Sequence, residues 1–107
     1  MPAQDSADFI QRRSERRPVG SAAELRHQWY SVEVTVCDVS QCGFMAECGS
    51  AVAIGSHVAL DVPGIGPVRA QVRWQIGGKM GGRFLDPISL TECEWTAVKA
   101  DRVELLA

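Results

Sequence analysis

The segment Pro67-Val68-Arg69-Ala70-Gln71-Val72-Arg73-Trp74-Gln75-Ile76 alternates without a break, with Val68, Ala70, Val72, Trp74 and Ile76 on one side and Arg69, Gln71, Arg73 and Gln75 on the other. Successive side chains of an extended chain point to opposite faces, so this pattern specifies a strand with one face on a core and one in water. Immediately before it, Pro63-Gly64-Ile65-Gly66-Pro67 reads as a tight turn, and Ser56 to Val62 places Val58, Leu60 and Val62 on one side. Two antiparallel strands joined by a short turn are expected. After Gly77-Gly78 a further strand is expected over Met80 to Leu85.

Working toward the N-terminus, Trp29 to Cys37 alternates with Tyr30, Val32, Val34 and Val36 on one face and Ser31, Glu33 and Thr35 on the other. A regular continuation would drive Asp38 and Ser40 into the core, so the chain is expected to turn at Asp38, with Gly43 closing the turn. Gly43 to Cys48 is a short apolar run, and Val19 to Arg26 is a weaker strand candidate. About six short strands with turn signals between them and no interleaved helix imply an all-β domain, an antiparallel barrel or sandwich. Parallel pairing would require crossovers that the spacing leaves no room for. The pattern changes near the end: Ser89 with Glu92 resembles a capping box, and Leu90, Cys93, Ala97, Val98 and Leu105 share one helical face, so a helix is expected over 89–106. Residues 1–11 are polar without a packable period and read as a mobile tail, leaving 12–107 as a single domain.

The whole chain has 107 residues, 46% hydrophobic and 22% charged, which is the composition of one soluble domain and too short for a large catalytic fold. No apolar run approaches the roughly 18 residues needed to span a bilayer. Asp5, Asp8, Glu15 and four arginines occupy the first 20 positions in place of a signal core, so a cytoplasmic protein with no membrane insertion is expected. A net charge of −2 argues against a whole-surface binder of nucleic-acid polymers. Cys37, Cys42, Cys48 and Cys93 form no Cys-x-x-Cys pair, and His27 and His57 have no metal-ligand spacing, so reduced thiols and no zinc site are expected. With no Ser/His/Asp spacing, acidic pair or glycine-rich phosphate loop, neither catalysis nor a cofactor is expected.

Two constellations remain. Nine of the eleven basic residues are arginine, and Arg12, Arg13, Arg16 and Arg17 cluster within six positions. Arginine's planar fork binds phosphate oxygens and the guanine O6/N7 edge bidentately and stacks on a flat base. Read alone, the cluster is more simply a solvated basic tail, since charge runs commonly serve only to solvate. The second constellation is Asp38-Val39-Ser40-Gln41-Cys42-Gly43. A carboxylate accepts hydrogen bonds from guanine N1 and N2, a serine hydroxyl adds one more, and glycine permits close approach to the backbone. Read alone, the same residues are those any Asp-initiated turn selects.

Together, Arg12-Arg13-Ser14-Glu15-Arg16-Arg17-Pro18-Val19 followed by Asp38-Val39-Ser40-Gln41-Cys42-Gly43 resembles the PilZ domain signature, Arg-x-x-x-Arg and then Asp/Asn-x-Ser-x-x-Gly. Downstream, Val72-Arg73-Trp74 and Gly81-Gly82-Arg83-Phe84 are similar to the family's late strand pair, extending the resemblance over residues 12 to about 86. The resemblance implies a six-stranded antiparallel β-barrel over 19–86 with a C-terminal helix. It also implies a receptor for the bacterial second messenger cyclic di-GMP that is not an enzyme. Its arginines would be Arg12 and Arg16, or Arg13 and Arg17 in the alternative register, with Asp38, Ser40 and Gly43 as the second motif. Trp74 lies on an alternating apolar face, where a core role is ordinary, while the resemblance implies a ring that reaches a guanine.

By this reading residues 12–18 are an arginine switch segment, mobile alone and folded over the bound nucleotide, so that a new surface meets an unidentified downstream protein. Two other readings are a small barrel that binds single-stranded nucleic acid and a PilZ-like scaffold that works through protein contacts without ligand. The first wants aromatic residues on a solvent-facing basic surface, and most of the seven aromatics read as core.

Overall fold

Val58, Leu60 and Val62 are buried in β4 (His57–Val62), and Ala70 and Val72 in β5 (Gly66–Ile76), so the two best-patterned segments form the antiparallel pair expected of them. The structure, a computed structural model, describes residues 16–97. The remaining strands are β1 (Arg17–Arg26), β2 (Ser31–Val39), β3 (Gly43–Glu47) and β6 (Lys79–Phe84). All six close into one antiparallel barrel in the order β1-β2-β3-β6-β5-β4. Closure gives every strand two neighbours, which removes the exposed edges that make open sheets prone to further pairing. The interior is filled by Leu25, Val34, Val36, Val39, Phe44, Ala46, Leu60, Val72, Met80 and Phe84.

Three irregularities set where side chains point. On β1 the register shifts between Pro18 and Ser21, where Gly20 adopts φ 71°, a left-handed conformation natural to glycine. On β2, Val36 pairs with Ala46 and Asp38 with Met45, so Cys37 is an extra residue on that strand. On β5, Val72 pairs with Gly82 and Trp74 with Gly81, so Arg73 is extra. A bulge of this kind places two successive residues on the same side of the sheet and reverses the alternation beyond it.

These bulges correct two expectations. The chain does not turn at Asp38: the bulge lets β2 run on with Asp38 outward and Val39 buried, and the turn follows at residues 40–42. Trp74 and Ile76 do not share the inner face with Val72, and both are exposed. Trp29 and Tyr30 precede β2 rather than beginning it and lie in the open, with Tyr30 stacked on His27 at a ring separation of 4.6 Å. β1 starts two residues before the expected barrel boundary, so Arg17 and Pro18 are strand residues.

After β6 the chain caps one end of the barrel. The Glu92 amide donates to Ser89 Oγ at 3.3 Å, as a capping serine would accept, but helix begins only at residue 94 and is described to 97. Ile88 and Cys93 plug the core, and the Glu94 amide donates to Pro63 O at 2.8 Å in the β4–β5 turn. Residues 98–106 of the expected helix, the 1–11 tail, and Arg12 and Arg13 lie outside the described residues. Among the described residues, no helix is long and apolar enough to cross a membrane and no cluster of three or more His, Cys, Asp or Glu could hold a metal.

Candidate functional site

The two outward bulges bring distant parts of the chain into register. Asp38 on β2 pairs with Met45 on β3, Met45 with Gly81 on β6, and Gly81 with Trp74 on β5. These four positions make one row across the barrel exterior, about 14 Å long at the usual strand spacing. Without the extra residues Cys37 and Arg73, the alternation would point Asp38 and Trp74 toward the core.

At one end of the row, Arg16 Nη1 donates to Asp38 Oδ1 at 3.3 Å. The arginine side chain is 67% exposed and the carboxylate 20%. An ion pair this open is worth about 0–1 kcal/mol, so it is easily exchanged for another partner. Arg17, one residue on, is half-buried at the start of β1 and pairs in register with the buried Val39.

The turn after Asp38 is built by Ser40. Its hydroxyl oxygen accepts from the Cys42 and Gly43 amides, each at 3.2 Å, while its own amide donates to Gly43 O at 2.8 Å. Ser40 is buried, so its side chain first of all fixes the loop that follows Asp38. The same turn is tied to the end of β6, the Phe84 amide donating to Cys42 O at 2.7 Å and the Ile88 amide to Gln41 O at 2.9 Å. Gly43 has an ordinary strand conformation; a side chain there would run into the carbonyl oxygen of Gly82. The demand for glycine therefore comes from close approach of β6.

At the other end, the Trp74 indole lies over Gly81, where a β-carbon would collide with the ring nitrogen. Gly82, on the inner face, makes equivalent room for the Phe44 ring. Gly81 and Gly82 are thus strand residues seating one aromatic ring on each face of the wall, whereas Gly77 and Gly78 form the hairpin turn with φ of 58° and 81°. Met45 and Gly81 were not among the candidate residues in the sequence. A glycine pair inside a strand was the one visible signal for Gly81, because glycine in a strand commonly marks a close approach, whereas Met45 joins the row only through its pairing with Asp38 and Gly81.

The structure therefore joins Arg16, Asp38 and the Ser40–Gly43 turn, and sets Trp74 on the same exterior row. Comparison with curated proteins returns no match. The PilZ domain family model matches residues 10–96, a span that includes both motifs, all six strands and the first helical turn. PilZ domains are ligand-binding receptor domains rather than enzymes, and the family is one of cyclic di-GMP receptors. With the match running through the arginine segment and the whole barrel, the chain belongs to the PilZ domain family.

Proposed function

We propose that this chain is itself a cyclic di-GMP receptor and holds the nucleotide along the row from Asp38 to Trp74. The observation that carries this reading is the row: a carboxylate and an arginine at one end, an exposed indole seated on glycine at the other. Asp38 accepts from guanine N1 and N2, leaving its weak pair with Arg16, whose guanidinium turns to a phosphate or to the guanine O6/N7 edge. The exchange favours the ligand, because hydrogen bonds to charged groups contribute about 1.5–3 kcal/mol against at most ~1 kcal/mol for the exposed pair. Ser40 and Gly43 shape the loop beneath the base, and Trp74 offers its face to a guanine ring.

The signal in this proposal is the arginine segment. Four like charges within six positions repel one another, and ligand phosphates remove that repulsion. Arg12 and Arg13 then join Arg16 over the nucleotide, and residues 12–16, up to the start of β1, present a new surface to a partner protein while the barrel keeps its shape. Ordering costs about 1–2 kcal/mol per residue, so affinity is moderate for the number of contacts and falls with salt.

Calorimetric titration with cyclic di-GMP, beside GTP and a short single-stranded oligonucleotide, tests the assignment. Selective binding at micromolar or tighter affinity is expected, falling more than roughly 100-fold in the Arg12→Ala/Arg16→Ala double variant, since two charge-assisted contacts are lost. Undiminished affinity there and in Arg13→Ala/Arg17→Ala would overturn it. Amide exchange over residues 8–16 should slow on saturation; exchange that does not change would remove the switch.

A further inference from the structure

Three exposed arginines, Arg69, Arg73 and Arg83, stand together on the exterior of the β5–β6 ladder. Arg83 pairs in register with Gln71, so Arg69 and Arg73 are its two diagonal neighbours across the strand pair. Among the described residues none of the three makes an ion pair. Arg26, by contrast, is held by Asp61 at 3.1 Å and Glu24 at 3.2 Å. The chain has 13 acidic residues for 11 basic ones, so the clustering is not forced by a shortage of acids. Like charges on neighbouring strands destabilise a sheet, and among the described residues no carboxylate pairs with these three to offset it.

Position supplies the reason. Arg83 pairs on its other side with Gly43, the last residue of the Asp-x-Ser-x-x-Gly motif, and stands two residues from Gly81, on the same outer face. Gly43 and Gly81 contribute no side chain, so the wall between Arg83 and the Asp38–Trp74 row is low, with the indole lying over Gly81. A base stacked on Trp74 would have Arg83 beside it, at the end of the row opposite Arg16.

We propose that Arg83, with Arg73 and Arg69 flanking it, is a second anion-binding arm of the nucleotide site. It takes a phosphate of the ligand whose base lies on Trp74, while Arg16 and Asp38 hold the other end. The inference rests on the receptor reading above and adds a specificity to it: a nucleotide with two separated phosphates engages both arms, a guanine nucleotide with one phosphate group only one. The uncompensated charge stabilises the complex rather than the fold.

The test is titration of the full chain and its Arg83→Gln and Arg83→Lys variants with cyclic di-GMP and with GMP, at two salt concentrations. Arg83→Gln should bind cyclic di-GMP about 10-fold more weakly, with a shallower salt dependence and a reduced preference over GMP. Arg83→Lys should fall between, retaining charge without the planar fork. The thermal midpoint of Arg83→Gln should equal or exceed that of wild type, since a repulsion is relieved. Wild-type affinity and preference in Arg83→Gln would overturn the second arm and leave the receptor reading intact. Failure of the wild-type chain to bind cyclic di-GMP would remove both.

Discussion

The bulge in β2 and the bulge in β5 each add one residue to a wall of the same barrel, with opposite consequences for burial. At Cys37 the insertion lets Val36 and Val39 both enter the core while Asp38 faces water beside Arg16. At Arg73 the insertion turns two apolar residues outward, leaving Trp74 36% and Ile76 75% exposed. Gln75 takes the inward place between them, its side chain accepting from the Val52 amide at 2.9 Å and donating to Ser50 O at 2.7 Å. The first bulge serves core and site at once. The second forgoes apolar burial, worth roughly 1.5–3 kcal/mol for an isoleucine fully buried, and leaves an accessible indole that the proposed function would use.

The sharpest way to break this comparison is Val39→Asp. The neighbouring position carries an aspartate at little cost, but at 39 the carboxylate would sit unpaired in the core, a loss on the order of 3–5 kcal/mol. Circular dichroism melts should show a barely folded domain; a near-normal midpoint would mean that β2 slips its register and that the bulge does not set its facing.

Asp38→Ala should do the reverse. Losing the exposed pair with Arg16 removes at most ~1 kcal/mol of stability, so the midpoint stays within a few degrees of wild type. Affinity for cyclic di-GMP should fall by about 1.5–3 kcal/mol, roughly 10- to 100-fold. A collapsed fold with unchanged affinity in the surviving molecules would return Asp38 to the role of a turn residue.

For the β5 bulge, Trp74→Ala should lower cyclic di-GMP affinity about 10-fold through lost stacking. Intact affinity would show that the indole is a cover for Gly81 and nothing more. The smallest effect is expected at Ile76→Ala, a substitution at an exposed position, which should change stability by no more than ~0.5 kcal/mol by denaturant titration. A loss several times larger would place Ile76 in an apolar contact and weaken the contrast with Val39.

Local pattern was enough to locate most of the barrel. Alternation in β4 and β5 brings the expected limits within a residue of the observed ones, because a half-buried strand writes its two faces directly into the chain, and the turn at Gly77-Gly78 does the same for β6. The hairpin at Gly77-Gly78 was legible for a similar reason, since its geometry depends on neighbours in sequence, whereas the turn after β2 was expected at Asp38 and comes only at residues 40–42. Composition and motif spacing also determined the class of domain, and the family match over residues 10–96 agrees with it.

What tertiary structure alone decided is the facing of Asp38, Trp74 and Ile76, the meeting of Arg83 with Gly43, and the partner of each glycine in β6. The conflict at Asp38 was visible as a break in alternation, yet a turn and a bulge resolve it equally well within one strand. Only the neighbouring strand distinguishes them, because a bulge is a mismatch in count between two strands and has no meaning for one alone. Val72-Arg73-Trp74 shows the same limit more strongly, since its alternation was flawless and still misplaced the tryptophan. Gly81, which the indole covers, lies across the ladder, and a contact made across a closed barrel wall leaves no periodic trace in either segment that makes it.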